Sequence, residues 1–374
     1  MVNLKFKRSF KIAGGEVAGS EMGSDSPVMI RVHTDEGIVG IGDVKTVRHY
    51  QSETTWSVTS ALRNFYAPLL LGADPFNIEW IITRMDKVLP GNPFAKTPID
   101  IALHDIVGKA AGVPIYKLMG GLFHERIRIK FPVGIADKEE MAKDALELVE
   151  LYKVDYIKIK IGPTDRWKKD IEAVKAIRES VGEDVEIQVD ANSGYDSPHL
   201  AIKIFSEMEK QNIVLAEQPL PAWDLEGMTE VARNIQTPIL ADESVYCLQD
   251  AYKVVRMRAA AVINVKIPKA GGLTESKKIA SLCEATGVPI FVGATGETGV
   301  GAAACAHLYA STKNVWPATP LMNGWYLLEH DLLTEETELR LRDGFIEPPK
   351  KPGLGVEVDE EALQKYANKR YLVK

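Results

Sequence analysis

A parallel β/α barrel behind a smaller α+β unit is the fold this sequence predicts, and three observations carry the prediction. From Arg126 onward, short apolar runs alternate with amphipathic helical stretches: YIKIKIG, EIQVDAN, VLAEQP, PILADES, AVINVKIP and PIFVGATG each follow a helix-like segment. Such alternation argues for a parallel sheet, and so many repeats favour closure into a barrel. Five polar residues end successive runs, Lys160, Asp190, Glu217, Asp242 and Lys266, with gaps of 30, 27, 25 and 24 residues. One strand–loop–helix–loop unit has about that length, and in a barrel the strand ends gather on one rim. The 374-residue length also leaves room for a second unit, because a barrel takes roughly 250 residues.

The first unit spans residues 1–125. Alternating segments at Val28–Thr34 and Ile38–Val44 flank the turn DEG and predict a hairpin. TTWSVTSALRNFYAPLLLG begins on threonines able to cap a helix and ends at Gly72; PIDIALHDIVGKAAG has helical apolar spacing and stops at Gly112. Polar loops at about 14–27 and 47–56 are read as lid or binding loops. The barrel then occupies 126–343. Beyond Asp343 the periodicity fails, and the Pro- and Gly-rich segment 344–374 reads as a tail that packs back onto the first unit.

Bulk properties remove several functions. The net charge is -7, with Lys and Arg interspersed among acidic residues on helix faces, so no basic patch for nucleic acid is present. No run reaches the ~20 apolar residues of a membrane span, and MVNLKFKRSFKIAGGE lacks the unbroken apolar stretch of a signal peptide. Cys247, Cys283 and Cys305 form no CxxC pair. A cytoplasmic protein with inert, reduced thiols is expected.

Strand alternation orients the five residues. In YIKIKIG, Lys158 and Lys160 share one face and Ile157, Ile159 and Ile161 the other. The isoleucines suit the helix-covered outside, so both lysines point into the barrel, where their burial needs partners or a polar cavity. Asp190, Glu217 and Asp242 then offer three oxygen ligands from successive strand ends. That set suits Mg²⁺, with Mn²⁺ as substitute, rather than zinc, because no His or Cys stands among them. Lys160 and Lys266 flank the acids and present a base to each face of a substrate. A divalent cation and the neighbouring Lys158 both disfavour the charged form of Lys160. Such a site abstracts a proton α to a carboxylate, with the metal stabilising the enediolate.

These residues resemble the enolase superfamily and, within it, the muconate lactonizing enzyme subgroup. The motifs are Lys158-Ile159-Lys160, Asp190-Ala191-Asn192, Glu217-Gln218-Pro219, Asp242-Glu243-Ser244, and Lys266 ahead of Gly271-Gly272, with NPFAKTPIDIALHDIVGKAAGVPIYKLMGG and PGLG as further matches. The mandelate racemase subgroup would carry an acid in place of Lys266 and a histidine on the seventh strand, which here reads PIFVGATGETG. The resemblance implies a modified (β/α)₇β barrel, a capping domain formed by both chain ends, Mg²⁺, a small carboxylate substrate, and a homo-oligomer (dimer or octamer). It also implies racemisation or epimerisation of an amino-acid derivative. The alternatives are a muconate-type cycloisomerase or an o-succinylbenzoate synthase-like dehydratase, and more distantly a Schiff-base aldolase.

The resemblance places substrate choice in the cap loops and the eighth strand. Dipeptide epimerases carry an Asp-x-Asp there, whereas this chain reads VWPATPLMNGWYLL. Trp56, Trp316 and Trp325 are the candidates for an aromatic wall against an apolar or N-alkylated substrate. Lys158, Asn192 and Glu297 are further substrate-binding candidates, and Glu243 is expected to pair with a base.

Overall fold

The computed structural model describes residues 1–2, 4, 10–17, 26–47, 53–321, 326 and 328–373. Parts of both polar loops (18–25 and 48–52) and Trp325 lie outside them.

Seven parallel strands run in chain order: Phe131–Val133, Tyr156–Lys160, Glu186–Asp190, Ile213–Glu217, Ile239–Ala241, Val262–Val265 and Ile290–Val292. Parallel bridges Ile290–Val315 and Ile129–Thr319 join the last strand to the first through residues 315–319. The eighth strand therefore closes the barrel by single bridges rather than a continuous ladder. The expected alternation holds. Ile157, Ile159 and Ile161 pack outward with Met141, Ala145, Leu148, Ala173, Val174 and Ile177 of the flanking helices. Inside, Leu215, Leu240, Val262 and Phe291 form a separate apolar floor below the polar rim.

The first unit is built on the hairpin of Val28–His33 and Val39–Val44. Helix Pro93–Ala110 lies on it so closely that a Cβ on Gly42 would stand 2.0 Å from the Pro98 carbonyl oxygen. That helix starts at Pro93, five residues before the apolar repeat suggests, and contains Pro98. The cause is tertiary: the buried Glu53 carboxylate accepts the Phe94 N–H at 2.9 Å and so caps the helix from the distant loop end. The other predicted helix is interrupted, with a π-helical turn at Leu62–Tyr66 between Thr55–Ala61 and Ala67–Leu70.

Two buried aspartates on this helix tie the molecule together. Asp100 accepts from Leu273 N at 2.5 Å and from Thr274 Oγ1 at 2.5 Å, holding the helix that follows the sixth barrel strand. Asp105 accepts from Ile41 N (3.0 Å), Lys109 Nζ (2.7 Å) and Leu354 N (2.8 Å), joining hairpin, helix and C-terminal segment. His307 adds a contact to that segment, its Nε2–H donating to Leu354 O at 3.0 Å while Nδ1 accepts from Tyr116 N. Burial pushes the imidazole down to about 4, which keeps it neutral and suits both bonds. Asp105→Ala leaves the Ile41 and Leu354 N–H groups without their buried acceptor, so it is expected to cost about 3 kcal/mol or more in urea unfolding. A loss below about 1 kcal/mol would show that the junction is held by other contacts.

Candidate active site

The rim places the five predicted residues in a row. Lys160 Nζ donates to Asp190 Oδ2 at 2.6 Å and to Asn192 Oδ1 at 2.7 Å. Lys158 Nζ bridges Asp190 Oδ2 at 3.0 Å and Glu217 Oε2 at 2.7 Å. At the far end Lys266 Nζ donates to Asp242 Oδ2 at 2.6 Å, and Lys269 Nζ reaches Asp242 Oδ1 at 2.5 Å. The lysines and carboxylates are buried, the three acids to 1% exposure or less, and Asn192 is half-buried. The order around the rim is amine, three carboxylates, amine.

Charge pairing sets the protonation states. Burial pushes Asp190 up, but Lys158 and Lys160 outweigh it and hold the carboxyl below its usual range. Burial likewise opposes Lys266 and Lys269 at Asp242, and the lysines again win. Glu217 is shifted upward by burial and by the Asp190 charge. Lys158 is driven above its ordinary value because Asp190 and Glu217 together overcome its burial. Lys160 moves down: burial is the main cause, Asp190 resists it, and the Lys158 charge adds to it. Of the two amines expected to act as bases, Lys160 is thus displaced toward neutrality, while its neighbour Lys158 stays a fixed cation.

Among the described residues, no three acidic, histidine or cysteine side chains close on one ion-sized point as they stand. Each of the three rim acids turns at least one oxygen to an ammonium group instead. The donor set nonetheless fits a hard cation: it is oxygen only, and a single cationic atom, Lys158 Nζ, already lies within reach of two of the carboxylates. Asp190, Glu217 and Asp242 are the side chains that could hold one.

Comparison with known proteins agrees with this geometry. Residues 140–362 match the sequence family described as "Enolase C-terminal domain-like", and residues 6–120 match "Mandelate racemase / muconate lactonizing enzyme, N-terminal domain". The chain belongs to the enolase superfamily, in its muconate lactonizing enzyme subgroup. It is 31% identical to the N-succinyl-L-Arg/Lys racemase of Bacillus cereus, covering 97% of this chain and 95% of the relative. The crystal structure of that racemase superposes with a TM-score of 0.93 over 100% and 97% of the two chains at 30% identity. A hydrophobic dipeptide epimerase of Enterococcus faecalis is 35% identical over 94% and 96% of the chains. The muconate lactonizing enzyme of Pseudomonas fluorescens, solved with muconolactone, superposes with a TM-score of 0.90 at 32% identity, covering 98% and 96%.

Within this enolase-superfamily site the remaining candidates separate. Asn192 accepts from Lys160 and donates to Glu243 Oε1 at 3.0 Å, so it links the two. Burial, then the Asp242 charge, pushes Glu243 up to about 8. Gln218 braces loops, accepting from Asp242 N and donating to Ser244 Oγ. Glu297 binds its own loop, accepting from Thr295 N and Oγ1 at 2.8 and 2.6 Å. The aromatic wall requires correction. Trp316 points to the barrel floor, where it packs on Leu215, Leu240, Val262 and Phe291 and donates to Tyr156 Oη at 3.3 Å. Its phase on the closing strand puts the ring inside but below the rim. Trp56 is 56% exposed on helix Thr55–Ala61 of the first unit. Sequence reasoning overlooked Lys130, wholly buried inside the barrel. The alternation in RIRIKF, which sets Lys130 opposite Ile129 and Phe131, was the signal that could have found it.

Asp43 of the hairpin secures the seventh loop from the first unit, accepting from Thr298 N at 3.1 Å and Oγ1 at 2.7 Å. Burial raises its pKa from 3.8 to about 7; Thr298 resists, and the Glu297 charge adds to the rise. The folded chain thus binds a proton that the unfolded chain has released, so stability falls as pH rises between 3.8 and about 7. Asp43→Asn abolishes that titration. Its stability relative to the parent should climb across this window, by at most about 1.4 kcal/mol per pH unit, and then level off. Urea unfolding at a series of pH values reads it, and a difference that is flat with pH would refute the assignment.

Proposed function

We propose that this chain is a Mg²⁺-dependent racemase or epimerase of an amino-acid derivative, removing and returning the proton α to its carboxylate. The observation that carries the reading is the pair of buried amines at opposite ends of one carboxylate row, Lys160 on Asp190 and Lys266 on Asp242. Lys160 takes the proton from one face and Lys266 delivers one to the other, with roles exchanged for the opposite enantiomer. Asp190, Glu217 and Asp242 hold the cation, whose charge, when bound, stabilises negative charge developing on the substrate carboxylate. Lys158 stays protonated and keeps Asp190 and Glu217 in place. The unit of residues 1–125 with 344–374 governs specificity, and 126–343 carries the chemistry.

Relatives named as an N-succinyl-Arg/Lys racemase and as dipeptide epimerases support the substrate class. Structures of two dipeptide epimerases were solved with Mg. The closing strand and its exit, residues 315–321, contain no acid to pair with a free substrate ammonium. That favours an acylated amine, since an ammonium buried without a carboxylate is costly. The cycloisomerase reading keeps support from chloromuconate cycloisomerases at 30–32% identity.

In D₂O with Mg²⁺, N-succinyl amino acids should exchange the α-proton, followed by NMR, and faster than dipeptides, which carry a free ammonium. Lys160→Ala and Lys266→Ala should each suppress exchange for a different enantiomer, by about 10²–10⁴-fold. Chelation should stop the reaction and Mn²⁺ restore it. Undiminished exchange in the double variant, or activity in EDTA with borohydride trapping, would overturn the proposal in favour of other chemistry.

A further inference from the structure

Beneath the rim lies a polar chain that the proposed reaction does not use. Lys130 is fully buried and occupies an aromatic pocket, its Nζ 4.0 Å from the Phe291 ring centre and 4.8 Å from that of Tyr156. Its hydrogen-bond acceptor is the side-chain carbonyl of Gln188. Tyr156 Oη, itself receiving the Trp316 N–H, donates to the same carbonyl at 3.4 Å. The other end of the Gln188 amide donates to Glu217 Oε2. On the opposite side Asn264 Nδ2 donates to Glu217 Oε1 at 2.9 Å. The central acid of the row is therefore held by an amide on each oxygen.

We propose that Lys130 is a positioning residue for the cation site, acting through Gln188 on Glu217; the inference rests on Glu217 being a metal ligand. An amide has a donor end and an acceptor end, and rotation by half a turn exchanges them. With its carbonyl facing Glu217, Gln188 would set oxygen against oxygen and withdraw a donor. Lys130 prevents this by supplying an N–H to the carbonyl, which an amine does in either protonation state. Donation into the carbonyl also polarises the amide and strengthens its bond to the carboxylate. The two aromatic faces hold the amine without offering it a second strong acceptor, so its pull falls on Gln188. Outer partners of this kind tune ligands they never share with the metal.

The test is Mg²⁺ binding to the full chain by calorimetry, with Mn²⁺ electron paramagnetic resonance as a second readout, on the parent, Lys130→Met, Gln188→Met and the double variant. Lys130→Met should raise the dissociation constant by about tenfold or more, the scale for losing an outer partner of a ligand. It should also alter the Mn²⁺ spectrum, which a change in packing alone would not. Gln188→Met and the double variant should match each other within about twofold, because Lys130 has no route to Glu217 without the amide. Parental affinity in folded Lys130→Met overturns the proposal, as does a further loss on adding Lys130→Met to Gln188→Met. If Lys130→Met does not fold, that second comparison decides alone, since the double variant replaces both polar partners with apolar ones. A parent that binds neither ion refutes the metal reading itself, an outcome distinct from the failure of Lys130 alone.

Discussion

The structure depends on the balance of charge inside the barrel. Five buried lysines, Lys130, Lys158, Lys160, Lys266 and Lys269, face four buried acids, Asp190, Glu217, Asp242 and Glu243. Any one of these groups alone in that interior would be driven to its neutral form or would unfold the site. Together they are tolerated because Lys158, Lys160, Lys266 and Lys269 pair with Asp190, Glu217 and Asp242 at hydrogen-bond distance, while Lys130 and Glu243 are bound by the amides of Gln188 and Asn192. The apolar floor below and the isoleucine shell outside do the ordinary work of stability. The polar rim must instead be held in register by them.

That register is supplied from outside the barrel as well. Asp100 reaches from the long helix of the first unit to the turn after the sixth strand, a few residues beyond Lys266 and Lys269. Asp43 reaches from the hairpin to the seventh loop. Each is an acid from the first unit that satisfies backbone N–H groups at a helix start in the barrel. The same device, a carboxyl oxygen accepting at helix N-termini, fixes the loops on two sides of the rim. A unit that merely covered the pocket would not need such buried ties.

Legibility in the sequence followed the range of the interactions. Strand phase is local, so Lys158 and Lys160 could be placed inside and the isoleucines outside from YIKIKIG alone. The stride of the five rim residues gave the barrel because every βα unit has a similar length. The early start of the long helix at Pro93 was not legible, since Glu53 caps Phe94 from 41 positions away. Trp316 was misplaced for a related reason. Its depth depends on how the closing strand slides between the first and seventh strands, and a strand held by single bridges leaves no ladder pattern in its sequence. Lys130 escaped notice because one inward lysine lacks the pairing that made Lys158 and Lys160 conspicuous.

The two ends of the carboxylate row are built alike by different means. At one end Asp190 accepts from two lysines spaced by two along a strand, Lys158 and Lys160. At the other, Asp242 accepts from Lys266 at a strand end and Lys269 one helical turn later. In each pair both amines donate to the carboxylate, and one is tied further, Lys158 to Glu217 and Lys269 to the backbone carbonyls of Asp242 and Asn264. A reaction that moves a proton on one face only needs a single such arrangement. Two of them, one at each end of the same three acids, are what proton transfer on both faces of one carbon requires. The near-symmetry of charge at the rim suits racemisation or epimerisation, where both amines move protons, and equally a cycloisomerase, in which one amine moves the proton and the other stands as a fixed cation.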